Sequence, residues 1–173
     1  TGTWTASTDV YAKFMTVWQD MLYASLADDD GTYSGYEVAM LSSGSDATSW
    51  ANWSGLYKIG DETTEITSLA ALHSLVFVGK EDGLHGLDSS WICPPLTPEM
   101  RAYRSPYNCK DMIAWHGQLW VPHLRGLLAY TDMGDSGFSV RSVGPGRNVS
   151  GDNPVRGRIT ALAGDDNWLY AAL

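Results

Sequence analysis

The sequence is poor in basic residues. Eleven Lys and Arg stand against 20 Asp and Glu, which gives a formal net charge of −9 over 173 residues and a pI near 4.6. The basic residues are scattered singly along the chain. Nucleic-acid readers carry a basic stripe or patch, and peripheral membrane anchors carry clustered Lys and Arg. The sequence therefore predicts an acidic protein whose partners are neither nucleic acid nor membrane.

The sequence also lacks a long apolar run and a targeting signal. No run approaches the ~20 apolar residues that a membrane helix requires. The chain begins Thr1-Gly2-Thr3-Trp4, with no Met and no signal peptide, so we expect an excerpt of a longer protein. Disorder is excluded, because 8 Trp, 9 Tyr and 3 Phe are ample material for a packed core.

Cysteine is nearly absent. The two residues, Cys93 and Cys109, have 15 residues between them, and a bridge across that loop would add about 3 kcal/mol of stability in an oxidising compartment. We predict this disulfide, with two unrelated thiols as the alternative. The sequence contains no Cys/His cluster and no H-E-x-x-H motif, so it predicts no metal and no cofactor.

Helical periodicity is scarce. Only residues 9–26 place apolar side chains in an order that suits an amphipathic helix. Eighteen Gly and 7 Pro interrupt the chain at short intervals, and the runs between them are rich in Val, Ile, Thr, Trp and Tyr. This pattern is typical of many short strands joined by turns. The sequence therefore predicts an all-β protein.

Four segments align without gaps on an apolar–aromatic pair. The pairs are Leu22-Tyr23, Val76-Phe77, Leu119-Trp120 and Leu169-Tyr170, and their aromatic positions are 54, 43 and 50 residues apart. An apolar stretch and a polar turn precede each pair. Adjacent residues of a strand point to opposite faces of the sheet. Each pair therefore predicts a strand in a sheet that is apolar on both faces.

The repeated unit contains about four strands in ~45–50 residues, which is the spacing of β-propeller blades. The sequence therefore predicts a β-propeller of four-stranded antiparallel blades, with approximate units 10–60, 61–108, 109–155 and 156–173. At this spacing the chain holds about three and a half blades, so we expect an incomplete propeller. A β-sandwich with similar hairpins is the alternative.

Two segments carry a family resemblance. Val76–Asp88, with its Gly83-Leu84 step, resembles the blade core of regulator-type propellers of bacteria and phages. Trp115–Pro122, followed by Gly126-Leu127, is similar to propeller-containing virion or tail proteins of phages. The resemblance covers residues 60–173, and the matching positions are core and turn positions. It implies a non-enzymatic structural or adhesion protein, in a virion or outside the cell, that contacts other structural subunits or a cell-surface glycan.

The polar clusters favour turns over catalytic or metal sites. The acidic runs 28–31 and 165–167 lack the alternating ligands of a calcium loop, and turns favour Asp, Asn and Gly for backbone reasons. The four histidines are predicted to be exposed turn residues: His73, His85, His116 and His123. Ser43–Trp50 resembles, in degenerate form, the Asp-box turn of sialidase-type propellers. A secreted, sialidase-like glycan-active enzyme is therefore the alternative function.

Aromatic residues outside the repeated pairs are the best binding candidates in the sequence. Five of them fall in predicted loops or outer strands: Trp50, Trp53, Trp91, Tyr103 and Tyr107. Exposed Trp and Tyr side chains stack on sugar rings and anchor protein partners. Filling the gaps between blades is the alternative role for each of them.

Overall fold

The computed structural model describes residues 11–26, 35–90, 94–123, 126–133, 137–143 and 158–173. Within these residues the protein consists of thirteen β-strands and two short 3₁₀ turns. The strands form four antiparallel sheets, none of which is closed. The predicted all-β class is confirmed.

Each sheet is a meander whose strands follow one another in chain order. The first sheet contains β1 (Ala12–Trp18), β2 (Met21–Leu26), β3 (Glu37–Leu41) and β4 (Trp53–Lys58). The second contains β5 (Ile66–Leu72), β6 (Leu75–Lys80) and β7 (Gly83–Leu87). The third contains β8 (Ile113–Trp115), β9 (Gln118–His123), β10 (Gly126–Asp132) and β11 (Phe138–Val143). The fourth contains β12 (Ala161–Gly164) and β13 (Leu169–Ala172), and the 3₁₀ turns are Trp50–Asn52 and Pro98–Tyr103.

Tight turns join the first two strands of the first three sheets. Residues with positive φ occupy these turns: Gln19 and Asp20, His73, and His116 with Gly117. Such turns match the twist of the strands that they connect. The described part of residues 9–26 thus forms a hairpin and not a helix. Burial alternates along β1 with a period of two, which explains why its apolar residues fit a strand.

The second sheet departs from the predicted four strands. Residues 94–96 lie beside β7, where the Leu96 amide donates to the Leu84 carbonyl at 2.7 Å. Pro95 makes only an isolated bridge with His85. The two consecutive prolines of this segment have no amide hydrogen, so they cannot extend the ladder. The chain then leaves the sheet in the second 3₁₀ turn.

Three clusters of buried apolar side chains join successive sheets. On β6, Val76 and Val78 enter the cluster shared with the first sheet, whereas Phe77 enters the cluster shared with the third sheet. All three side chains are fully buried. On β9, Leu119 and Trp120 likewise enter different clusters. The second and third sheets are therefore apolar on both faces, because each lies between two neighbours.

Neighbouring sheets also meet along their first strands, since β1 contacts β5, β5 contacts β8 and β8 contacts β12. The Trp18 indole at the end of β1 donates to the His73 carbonyl at 2.9 Å. The Trp115 indole at the end of β8 donates to the Asp165 carbonyl at 2.7 Å. A Cβ on Gly164 would lie 2.4 Å from the Trp115 ring, so only glycine fits beneath it. At two of the three junctions, an indole is therefore bonded to the hairpin turn of the next sheet.

The first and fourth sheets each present an apolar face away from their packed neighbour, and we call these the end faces. On β1, Met15 and Val17 alternate with residues that pack against the second sheet, and they are 61% and 64% exposed. At the fourth sheet, Trp168 and Tyr170 are 68% and 54% exposed, whereas Leu169 packs against the third sheet. The described stack of sheets thus ends in exposed apolar side chains on both sides.

Candidate functional site

The described binding candidates lie on two separate connections. Trp50 and Trp53 belong to the segment from β3 into β4, and both are half-buried. The Trp53 indole donates to the Ala47 carbonyl at 3.1 Å, which holds the ring against its own turn. Trp91 lies outside the described residues.

Tyr103 and Tyr107 belong to the connection from the second sheet to the third. The Tyr103 side chain is 61% exposed. Tyr107 is half-buried, with Lys110 Nζ 5.6 Å and Arg158 Cζ 4.8 Å from the centre of its ring. Both distances lie within the cation–π range. Two positive charges therefore face one aromatic ring in a chain that is strongly acidic.

A cavity of about 240 Å³ opens beside this connection. It lies where β1 and β5 begin, so we call it the entry cavity. Three of its residues are apolar: Phe14, Ile66 and Pro106. Its polar lining consists of Lys13, Lys110, Glu65, Glu81 and Thr67. The entry cavity thus combines an apolar wall with charged donors and charged acceptors.

Hydrogen bonds fix the connection that forms one wall of the entry cavity. The buried Asn108 side chain donates to the Glu81 carbonyl at 2.8 Å, and the Thr67 hydroxyl donates to the Asn108 carbonyl at 2.8 Å. The next residue, Cys109, donates its amide to the Pro122 carbonyl of β9 at 2.8 Å. The wall is therefore attached to both the second and the third sheet, and a ligand would meet a preformed surface.

Both carboxylates of the entry cavity already have cationic partners. Lys13 Nζ lies 3.3 Å from a Glu65 oxygen, and Arg104 Nε lies 2.8 Å from a Glu81 oxygen. Lys110 makes no ion pair with any carboxylate in the described ranges. Its ammonium group is therefore the lining charge that a ligand can neutralise.

Of the two acidic runs, only 165–167 lies in the described residues, and its Asp165 accepts hydrogen bonds from within its own hairpin. Asp165 accepts from the amides of Asn167 and Trp168, both at 2.7 Å, and from the Tyr170 hydroxyl at 2.8 Å. These bonds, led by the Asn167 amide, hold the pKa of Asp165 below its usual value. The acidic run 28–31 lies outside the described residues. The Asp165 carboxylate thus stabilises its own turn.

The segment that resembles an Asp box, Ser43–Trp50, connects β3 to β4. Asp46 accepts from the amide and the hydroxyl of Thr48 at 2.9 and 2.7 Å, and these bonds lower the pKa of its carboxyl group. The Asn52 side chain donates to the Asp46 carbonyl at 3.0 Å. These contacts form a self-contained turn, and the sialidase-like activity stays a prediction.

The histidines require a correction. His73 and His116 are exposed and lie in hairpin turns, as predicted. His85 is instead buried within β7, and His123 is half-buried at the end of β9. His85 is covered because the second sheet has neighbours on both faces. Within the residues that the structure describes, no three His, Cys, Asp or Glu side chains are grouped to hold a metal ion; the predicted lack of metal and cofactor stays a prediction.

Cys109 is buried and makes no disulfide with a described residue, and Cys93 lies outside the described residues. The predicted disulfide therefore stays a prediction. Burial raises the pKa of the Cys109 thiol to about 12, because the thiolate would lose its hydration. A Cβ on Gly79 would come within 2.5 Å of the Cys109 Cβ. Glycine at position 79 thus lets the connection pass directly against β6.

Sequence reasoning missed a buried lysine and the charged residues of the entry cavity. Lys80 is fully buried, and its Nζ donates to the carbonyls of Ile59 and Asp61. It thereby anchors the connection between the first and second sheets. Its place at the end of an apolar strand was the one available signal. Lys13 and Lys110 stand singly in the sequence, and nothing there connects them.

Comparisons with known proteins returned no family for the chain. No protein-family model matches it, and no curated protein matches it closely enough to indicate a relationship. No helix in the described part of the chain is long and apolar enough to cross a membrane. Function is therefore inferred from the sheets, the end faces and the entry cavity.

Proposed function

We propose that the chain is a non-enzymatic structural and adhesion segment in which the sheets are β-propeller blades. Successive antiparallel sheets pack face to face in series, and their first strands adjoin, which supports this arrangement. Propellers repeat such sheets radially around an axis. The resemblance of the blade sequences to phage virion and tail propellers favours a structural protein of a virion or of the extracellular space.

The observation that carries the assembly role is the pair of end faces. At each junction within the chain, apolar side chains from two facing sheets are buried against each other. The end faces carry the same kind of side chain, but Val17 and Tyr170 are more than half exposed. Contiguous exposed apolar surface marks interaction sites. The chemistry that holds the described sheets together is therefore also available on the end faces of the first and fourth sheets.

The partner we propose for each end face is a second copy of this chain. The fourth-sheet end face of one copy would pack on the first-sheet end face of the next, as successive sheets do within the chain. Such a contact joins two different surfaces, so it is heterologous, and it generates a ring or a filament. Both outcomes suit a structural subunit that assembles with its neighbours.

The test is sedimentation of the protein over a wide concentration range, with matched valine variants. Val17 is on an end face, whereas Val140 is 48% exposed on the edge strand β11. We expect wild type and Val140→Lys to associate as concentration rises. Val17→Lys and Tyr170→Lys should sediment as monomers, because a buried unpaired ammonium group is costly. A wild type that stays monomeric, or an equal effect of both valine variants, would contradict the assembly role.

A further inference from the structure

The entry cavity has a lining that the packing of sheets does not require. Lys110 and Glu81 lie on connections and not on an end face. The connection behind them is hydrogen-bonded to two sheets, so the cavity does not depend on a further subunit for its shape. We propose that the entry cavity binds a small sugar acid, that is, one sugar ring bearing a carboxylate. This inference refines the adhesion side of the proposed function and is independent of stacking between end faces.

The positive charge around Lys110 indicates an anionic ligand. Lys110 and Arg158 both face the Tyr107 ring, and the described carboxylates make no ion pair with either cation. A carboxylate placed at Lys110 would form a charge-assisted hydrogen bond in a partly enclosed site. The net charge of −9 repels anions at long range, so an anion would be held by such a local contact.

The two glutamates indicate hydroxyl groups on the same ligand. An ionised carboxylate has about four acceptor sites, so Glu65 and Glu81 can accept from ligand hydroxyls while they stay paired with Lys13 and Arg104. The same carboxylates would repel a phosphate dianion more strongly than a carboxylate monoanion. A ligand with one carboxylate and several hydroxyls therefore matches the lining better than a simple anion does.

The apolar wall and the volume indicate a single ring. Phe14, Ile66 and Pro106 can contact the C–H face of a sugar while its polar groups reach the charged side chains. The volume of about 240 Å³ is smaller than the ~300–1,000 Å³ of sites for drug-sized ligands. For about a dozen non-hydrogen atoms at ordinary ligand efficiency, we expect a Kd of about 1 mM.

The first experiment is an NMR titration of the whole chain with three small molecules. Glucuronate supplies the ring, the hydroxyls and the carboxylate; glucose lacks the carboxylate, and acetate lacks the ring. We expect glucuronate to bind at least about tenfold more tightly than either control, which is the size of one lost hydrogen bond to a charged group. If glucose binds as tightly as glucuronate, Lys110 does not recognise a carboxylate. If acetate binds as tightly, the cavity does not recognise a sugar ring. If glucuronate does not bind, the proposed site is wrong.

The second experiment compares two lysines. Lys110→Gln removes the cavity charge and should raise the Kd for glucuronate about tenfold, whereas Lys110→Arg should retain most of the affinity. Lys58→Gln is the matched control, because Lys58 is exposed on β4 and pairs with Glu62 at 2.9 Å outside the cavity. Circular dichroism of each variant checks the fold. An unchanged Kd for Lys110→Gln, or an equal loss for Lys58→Gln, would overturn the proposal. Neither result depends on the sedimentation test, so the two proposals can fail separately.

Discussion

The second and fourth sheets carry the same kind of residue pair near the start of their second strands, but in opposite surroundings. In the second sheet, Val76 and Phe77 are both 0% exposed, and each packs against a different neighbouring sheet. In the fourth sheet, Leu169 packs against the third sheet, while Tyr170 is 54% exposed. In both strands, successive side chains point to opposite faces of the sheet. The difference shows that the number of neighbouring sheets, and not the local sequence, sets the burial of the aromatic residue.

The largest loss of stability is expected when Phe77, the aromatic residue of the pair in the second sheet, is replaced. Phe77→Ala should lower the free energy of unfolding by about 3–5 kcal/mol, because it removes a fully buried ring and leaves a cavity. Tyr170→Ala, in the corresponding position of the fourth sheet, should change stability little. Urea denaturation of dilute protein measures both. Similar losses in the two variants would show that the end face is covered in solution.

The next largest loss of stability is expected from replacing Lys80, the buried charged residue of the second sheet. Lys80→Met keeps the length of the side chain but leaves the carbonyls of Ile59 and Asp61 without this donor. The Asp61 carbonyl still accepts from the Thr64 hydroxyl at 3.0 Å. The loss of stability should therefore be about 1–3 kcal/mol, the cost of leaving the buried Ile59 carbonyl without this donor. Lys58→Met is the exposed control and should unfold at nearly the wild-type urea concentration. An equally stable Lys80→Met would mean that water reaches the Ile59 carbonyl in the variant.

A smaller and more local effect is expected at the junction with the fourth sheet. Trp115→Phe removes the hydrogen bond to the Asp165 carbonyl, which is worth about 0.5–1.5 kcal/mol. Amide hydrogen exchange should accelerate in β12 and β13, because among the described sheets this one packs against the third alone. The matched variant Trp18→Phe breaks the bond to His73 instead. Faster exchange in β12 and β13 for Trp18→Phe alone would contradict the assignment of the two bonds.

The smallest change in stability is expected from ionisation of the Cys109 thiol, which packs against the second sheet, and it is confined to alkaline pH. Burial raises the pKa of Cys109 from 9.0 to about 12, so between these values the unfolded chain releases the thiol proton first. Its contribution to stability is therefore complete below pH 9 and is lost as pH rises towards 12. The free energy of unfolding, measured against pH, should fall less steeply between pH 9 and 12 for Cys109→Ala than for the wild type.

Alkylation provides the control for this prediction. In a Cys93→Ser variant, Cys109 should resist iodoacetamide at pH 8 in the folded protein and react after unfolding. Rapid alkylation of the folded protein would contradict the burial of the thiol. In the wild type, alkylation of the unfolded protein without a reductant also tests the Cys93–Cys109 disulfide. Two added groups would exclude the bridge, and none would establish it.

The strands and their turns could be predicted because their signals are local. Alternation along β1 and the polar turns at His73 and His116 each involve residues that are close in sequence. The same reasoning placed His85 in a turn, because a single histidine shows nothing about the sheet that covers it. It also expected a fourth strand in the second sheet, where two consecutive prolines cannot donate to the ladder.

The candidate site was the part least accessible to sequence reasoning. Tyr107 was chosen as an aromatic residue outside the repeated pairs, but its two cations, Lys110 and Arg158, come from different connections. The entry cavity joins Lys13 on β1 to Lys110 before β8. Residues so far apart in the chain leave no spacing that a motif could capture.

The sequence by itself determined that this protein is a series of antiparallel hairpins with an apolar–aromatic pair on each second strand, because strand periodicity and turn chemistry operate over a few residues. Only the tertiary structure decided which pairs are buried, which faces stay exposed and where the charges of the entry cavity meet. Burial depends on whether another sheet lies against a face. The position of a charge depends on how connections from different sheets converge, and neither property is encoded in a short stretch of chain.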